Sequence, residues 1–372
     1  LLSYVGYTVS EAPCARIYVR GLNHIKLIYQ PGRSLAAKVY YGTIRKPVNE
    51  TPLVSVSSIE PTPTVGMNRR KNKAYALDKS KKTVTQTIHS AADFLLASRN
   101  DKGWWTDFYL QAGLSDEWVT AYVATMLSTI SEITLSPNIQ RAVISAWDRL
   151  QSRQHRADGM WGYNRWVPGD ADSTGWALQL AYRIGRYDSD RVEKARKALA
   201  SYQQERGGIS TYAEKTAISA FIQASSAQSF DGWCGAHTCV SAALAALPDY
   251  RDRLQSYLKV TQHEDGSWQA YWWQDPEYVT ALAAEAIATC NPSSVAVARA
   301  LAWGLERLGD NGCVSTTDHS SGSPFATAWC LRLLLLARSH LFDNRWSLNS
   351  DLDSYIAKAV HWLVQQQRPD GS

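Results

Sequence analysis

Tryptophan is absent from the first hundred residues of this 372-residue chain; all fifteen stand at Trp104 or later. The aromatic bulk that a large core draws on therefore belongs to the later part. None of the six cysteines (Cys14, Cys234, Cys239, Cys290, Cys313, Cys330) forms a Cys-x-x-Cys pair, which excludes the commonest zinc and redox motifs. Scattered thiols in so long a chain do not suggest a disulfide framework, and a reducing, cytoplasmic compartment is expected. No apolar run reaches the ~20 residues that cross a bilayer. The opening LLSYVGYTV has no basic stretch before it and makes a poor signal peptide. Positive charge, too, is missing where most of the residues are. Residues 1–66 carry +4 and 67–82 carry +6, against +5 for the whole, so 83–372 is acidic at −5. That excludes a basic nucleic-acid groove in the main body.

Three segments follow from these shifts in composition. Residues 1–66 contain short β-like runs, Arg16–Val19, His24–Tyr29 and Ala37–Ile44, then a Pro/Thr/Ser/Val-rich stretch from Pro47 to Gly66; they read as an extended arm. Residues 67–82, MNRRKNKAYALDKSKK, form a basic linker, either a solvated charge run or a tether to an anionic membrane surface or partner. Met67 is also a candidate natural start. From Thr83 onward the pattern is helical and repeats.

The repeat is marked by glycines at Gly103, Gly159, Gly208, Gly266, Gly312 and Gly371, spaced 46 to 59 residues apart, most of them after Asp and several before Trp. Each ends an amphipathic helix, since glycine tolerates the left-handed C-terminal position. Gln recurs just upstream, at Gln154, Gln203, Gln262 and Gln367. A second helix, apolar nearly all round, follows most of these turns: DEWVTAYVA at Asp116, DSTGWALQLA at Asp172, HTCVSAALAAL at His237, PEYVTALAAEA at Pro276 and PFATAWCLRLL at Pro324. A helix without a polar face is buried on both sides. The expected fold is all-α: an α/α toroid of up to six helix pairs over 83–372, with an inner ring of apolar helices inside an outer amphipathic ring. The third pair carries an insertion from Ile209 to Gly235. The sixth stops at Ser372 before its inner helix, so a truncated sixth repeat is expected.

A Gln-rich helix, an Asp-Gly-x-Trp turn and an apolar helix together resemble the repeat of the terpenoid cyclase and protein prenyltransferase superfamily, in its squalene–hopene-cyclase-type form. The resemblance runs from about Thr83 to the C-terminus. Class II terpene cyclases of that superfamily protonate an alkene or epoxide with an Asp-x-Asp-Asp motif. Asp170-Ala171-Asp172-Ser173 is similar, which makes Asp172 the implied proton donor and Asp170 its partner, with Ser173 in place of the last Asp. The chemistry needs clustered carboxyls because a neighbouring negative charge keeps an acid protonated near neutral pH. A structural alternative stands beside it: Asp172 or Ser173 suits the N-cap of the helix beginning near Thr174. Asp116 also stands four residues before Thr120, as Asp170 stands before Thr174, and such recurrence favours a structural role.

Carbocations are stabilised by ring faces. Trp118, Tyr122, Trp166, Trp176, Trp272, Trp273, Tyr278 and Trp329 stand at or near inner-helix starts and, with His237, are the candidate substrate contacts. Trp104, Trp161, Trp233 and Trp268, at the turns, read as repeat packing. The resemblance thus implies a terpene cyclase-like isomerase acting on an isoprenoid without a cofactor. Such cyclases enclose substrate between two helical domains, so a second domain or a protein partner is implied. Two alternatives remain at this point: a catalytically silent toroid binding an isoprenoid, lipid or peptide, and a zinc-dependent prenyl- or thiol-transfer enzyme with Cys234, His237 and Cys239 as ligands.

Overall fold

A computed structural model describes residues 83–110, 112–134, 136–154, 157–223, 229–341 and 352–372, together with the backbone of 22–28 and 36–41. The chain divides into two units, Leu1–Lys82 and Thr83–Ser372. In the first, strands β1 (Leu22–Ile28) and β2 (Ala36–Tyr41) pair antiparallel, Leu22 opposite Tyr41 and Ile28 opposite Ala36. Two of the three expected β-like runs lie in this pair. The run Arg16–Val19, the Pro-rich stretch and the basic linker lie outside the described residues.

The second unit is built of helix pairs. Its outer helices are α1 (Val84–Ala97), α3 (Pro137–Arg153), α5 (Asp190–Ala198, prolonged by a 3-10 turn to Tyr202), α9 (Pro248–Val260), α11 (Val295–Arg307) and α13 (Leu352–Gln366). Its inner helices are α2 (Glu117–Thr134), α4 (Ala171–Arg183), α8 (Thr238–Leu244), α10 (Pro276–Cys290) and α12 (Pro324–Leu341). Each inner helix packs on the next, α2 on α4, α4 on α8, α8 on α10, α10 on α12. A short hairpin, β3 (Asp107–Leu110) with β4 (Gly113–Ser115), precedes α2. The insertion in the third pair holds α6 (Lys215–Phe221) and α7 (Asp231–Cys234) around a small separate core of Val167, Tyr212, Ile218 and Phe230.

The sequence marks of the repeat turn out to be hydrogen-bonding devices. The Gln at the end of an outer helix splits its amide between the turn glycine and the next outer helix. Gln154 Nε2 donates to Gly159 O (2.5 Å) and Arg191 O (2.9 Å), and Gln262 Nε2 to Gly266 O (2.9 Å) and Ala296 O (2.8 Å). Gln367 Nε2 donates likewise to Gly371 O (3.0 Å) and Thr87 O (2.9 Å), so the sixth turn meets α1 as the second and fourth turns meet their successors. The ring of outer helices is closed by that bond. Gly371 has φ +95°, and a Cβ there would collide with Ser90 O of α1, so the close approach requires glycine.

The turn tryptophan anchors its own outer helix: Trp161 Nε1 donates to Leu150 O (2.8 Å), Trp268 Nε1 to Leu258 O (2.7 Å). In the first pair this position belongs to Trp105, which reaches Leu95 O (2.6 Å), and not to Trp104, whose ring instead carries the Arg153 guanidinium at 4.2 Å. Trp233 lies in α7, against Tyr212, Phe230 and Trp272, rather than at a repeat turn. The backbone N–H at the turn is met in each pair by a buried hydroxyl one turn into the inner helix. Thr120 accepts from Trp105, Thr174 from Trp161, Ser241 from Ile209, Thr280 from Trp268 and Thr327 from Val314, at 2.9–3.1 Å. A buried donor left unmet costs roughly 1–3 kcal/mol, which is why a hydroxyl recurs in otherwise apolar helices.

Candidate active site

These five hydroxyls set the register of the inner ring. Two residues before them stand Trp118, Asp172, Cys239, Tyr278 and Phe325; two after stand Tyr122, Trp176, Ala243, Leu282 and Trp329. Residues four apart share a helix face, and the ring contacts show that this face looks inward. Trp118 stacks on Tyr122 (5.2 Å between centroids), Tyr122 meets the edge of Trp176 (4.7 Å), Tyr278 meets Trp329 (4.9 Å), and Phe325 lies 6.3 Å from Trp329. Trp273, from the loop before α10, stacks on Phe325 at 4.9 Å and lies 6.1 Å from Trp118. Among these ten inward positions Asp172 alone is ionised at ordinary pH in water.

Its neighbour two residues back has a different task. Asp170 is the N-cap of α4: its Oδ1 accepts from Ser173 N (2.7 Å) and its Oδ2 from Ser173 Oγ (2.8 Å). The cap expected at Asp172 or Ser173 is therefore Asp170. Ser173 is buried with its hydroxyl turned to that cap, away from the hollow. The recurrence at Asp116 holds in position: Asp116 directly precedes α2 as Asp170 precedes α4, and each carbonyl accepts the backbone N–H of its Thr at 3.1 Å. Its carboxylate, however, pairs with Arg153 at 3.0 Å, and the residue that matches Asp172 is Trp118.

Asp172 Oδ2 accepts the indole N–H of Trp118 at 3.0 Å. Asp172 keeps accessible surface although Ala171 and Ser173 on either side of it are buried. Burial, and after it the charge of Asp170, push its pKa up to about 7, while the Trp118 hydrogen bond pulls the other way. Asp172 in turn adds to the effect of burial on its neighbours. The Cys239 thiol is pushed up to about 11 and the Tyr278 phenol well above its ordinary range, so both are neutral. The site is a half-protonated acid, in near-neutral water, facing a wall of ring faces.

The remaining candidates divide. Trp118, Tyr122, Trp176, Trp273, Tyr278 and Trp329 come together in one cluster of ring contacts. Trp272 sits beside it, its Nε1 donating to Thr211 Oγ1 at 2.7 Å. His237 is buried under Tyr271, stacked at 4.0 Å, with Nδ1 2.7 Å from Thr211 Oγ1 and Nε2 2.5 Å from Gly232 O. A carbonyl only accepts, so Nε2 carries the proton and Nδ1 takes the Thr211 hydroxyl hydrogen. Both ring nitrogens are committed. Cys234 stands in the insertion while Cys239 faces Asp172, and no group of three His, Cys, Asp or Glu among the described residues could hold a metal. The zinc alternative does not fit these residues. Trp166 is 68% exposed under the Arg165 guanidinium (4.4 Å) and lines nothing. Sequence reasoning missed Phe325, Cys239 and Phe108. The first two were within reach through their place two before Thr327 and Ser241.

No protein-family model and no curated protein matches this chain. Solved structures do. The chain is 49% identical to a single-residue variant of type II terpene cyclase MstE from Scytonema, in complex with its substrate geranylgeranyl dihydroxybenzoate, over 78% of this chain and 80% of that one, with a TM-score of 0.72. A variant of the same cyclase in complex with its product, merosterolic acid A, is 48% identical over 78% and 81% at the same TM-score. A protein from Actinoplanes is 38% identical over 78% and 83%, with a TM-score of 0.69. With identity this high over most of both chains, and with an acid on an aromatic wall where such chemistry needs it, the chain belongs to the type II terpene cyclases, and its reaction is the protonation-initiated cyclisation of an isoprenoid.

Proposed function

We propose that Asp172 is the acid that starts this cyclisation, and that the substrate is a polyprenyl chain carried on a hydroxylated aromatic acid, as geranylgeranyl dihydroxybenzoate is for the Scytonema cyclase. The observation that carries the reading is the placement of Asp172: a carboxyl in a slot that aromatic residues fill in the first, fourth and fifth repeats, with one oxygen held by the Trp118 indole and some surface left accessible on the residue. In the reaction the Asp172 proton bonds one carbon of the terminal alkene and leaves a cation on the other. Internal double bonds then attack in turn, each closing a ring and moving the charge onward. Trp118, Tyr122, Trp176, Tyr278, Trp329, Trp273 and Phe325 face the migrating charge with their negative ring faces. The new Asp172 carboxylate keeps the Trp118 hydrogen bond. Loss of one proton from the final cation leaves an isomer of the substrate, so no net atom is gained or lost.

Ser173 in place of a third Asp leaves this chemistry untouched, because that position serves the cap at Asp170 and not the hollow. The test is incubation of the purified chain, and of Asp172→Asn, with geranylgeranyl dihydroxybenzoate and shorter-chain analogues, followed by mass spectrometry for cyclised isomers. Cyclisation by wild type and none by the variant is expected. Equal turnover by both sinks Asp172 as the acid; tight binding with no turnover by either returns the silent toroid.

A further inference from the structure

We propose that the outer face of α3 is the contact surface of a homodimer, in which two copies of this helix lie antiparallel across a two-fold axis between Ile144 and Ser145. The inference is independent of the reaction proposed above. It starts from the pattern of α3 itself. One stripe of the helix, from Ile139 to Leu150, is buried against the ring. The opposite stripe holds Arg141, Ile144 and Asp148, all exposed, and the half-buried Ser145. The outer face of an amphipathic helix is expected to be polar. The other outer helices keep to this in their middles: their exposed valines, Val84, Val260 and Val295, are each the first or last residue of a helix. Ile144, 44% exposed, is the one bulky aliphatic exposed in the middle of an outer helix among the described residues.

Two opposite charges flank it. On α5 the exposed Glu193 and Lys197 pair within the helix at 2.6 Å. Arg141 and Asp148 stand two turns apart, about 10 Å along the axis, and neither makes an ion pair among the described residues. Arg141 Nη2 donates to Asn138 Oδ1 at 2.5 Å instead. Between them lies a shallow recess of ≈ 550 Å³, lined by Pro137, Gln140, Arg141, Ile144, Ser145 and Asp148. The face thus has an apolar centre, a cation toward one end and an anion toward the other.

Such a face is its own complement. Arg141 stands three residues before Ile144, and Asp148 three after Ser145. A second α3 turned end for end about that centre therefore brings each Arg141 opposite the other copy's Asp148, twice over, and lays each Ile144 on the other copy's Ser145. A two-fold contact requires this self-complementarity, and a second copy of the chain supplies it. Size sets the strength. One helix face a side lies at the small end of specific interfaces. The dimer is accordingly weak, with a dissociation constant of roughly 10–100 μM.

The test is sedimentation velocity of the full chain across that range, with circular dichroism to confirm that each variant is folded. Wild type should pass from monomer to dimer. Ile144→Glu, which sets two carboxylates beside the axis, should leave monomer alone. Arg141→Glu and Asp148→Arg should each weaken the dimer by about tenfold or more, since each places like charges opposite one another twice. Mixed in equal amounts, those two variants should dimerise again, to within about threefold of wild type, because the mixed pair restores opposite charges at both contacts. Wild type that stays monomeric at ten times the upper concentration overturns the proposal. So does a dimer that Ile144→Glu and both charge reversals leave intact, or a mixture that associates no better than its components.

Discussion

The second and fourth repeats share one frame and differ in what they point inward. In both, a Gln ties the turn to the next outer helix, a Trp locks its indole N–H onto its own outer helix, and a Thr takes the backbone N–H of that Trp at 3.1 Å. At the inward position two residues before the Thr, the second repeat has Asp172 and the fourth has Tyr278. On the proposed reading one is the acid and the other part of the wall that receives the charge. The frame is common to both, and what differs is the residue in a slot that the frame repeats around the ring. The fourth repeat also shows the usual fate of a buried acid in this fold: Glu277, one residue before the slot, is fully buried and met by Arg307 Nε at 2.7 Å. Asp172 has no such cation.

The sharpest break of the comparison is Asp172→Asn, which should lower turnover by roughly 10³-fold or more, the upper part of the range for a lost general acid. The same variant should change stability with pH. Because the folded pKa of Asp172, about 7, lies above its unfolded value, the ionised form weakens folding, fully above pH 7 and not at all below about pH 4. The variant should thus melt higher than wild type at pH 8, with the gap closing as pH falls through that window; a pH-independent gap would contradict the raised pKa.

Trp118→Phe keeps the wall and removes the N–H that favours the carboxylate. Asp172 should then hold its proton to higher pH, and the alkaline fall in turnover should move upward from about 7. A fall at unchanged pH would show that the indole does not reach the acid. A smaller effect tests the sameness of the frames. Thr174→Val and Thr280→Val should each cost about 1–3 kcal/mol in thermal unfolding, alike in both repeats, since each strands one turn N–H. Unequal losses would mean that the frames themselves differ. The smallest effect is expected for Gln262→Ala and Gln367→Ala, about 1 kcal/mol each, with Gln367 no less costly although it joins the last turn to the first helix.

Much of the frame could be read from residue order, because its devices are local. Gln, turn glycine and inner-helix Thr recur at spacings that a helix pair dictates, and the absence of polar faces on the inner helices made them buried. The site was less legible. Asp172 and the aromatic starts were in view, and Asp116 does match Asp170 in register, yet which of the clustered residues turns to the cap and which turns inward depends on side-chain direction. Only folded geometry shows that. Trp104 and Trp105 could not be told apart for the same reason. Trp166, aromatic and near a helix start, was placed inside, but its loop carries it to solvent. Phe108 had no signal at all: a hairpin brings it to Trp273, far away in sequence.

The bond from Gln367 to Thr87 spans 280 positions, and it bears on how the molecule comes together in time. During synthesis the leading helix of the ring must wait, one flank uncovered, until the 280 positions up to Gln367 have left the ribosome. Loop-closure entropy grows only slowly with such a distance, so the delay weakens the finished ring little. It does prolong the interval in which an apolar flank is open to wrong partners, which makes the last docking step the natural place for a chaperone to matter.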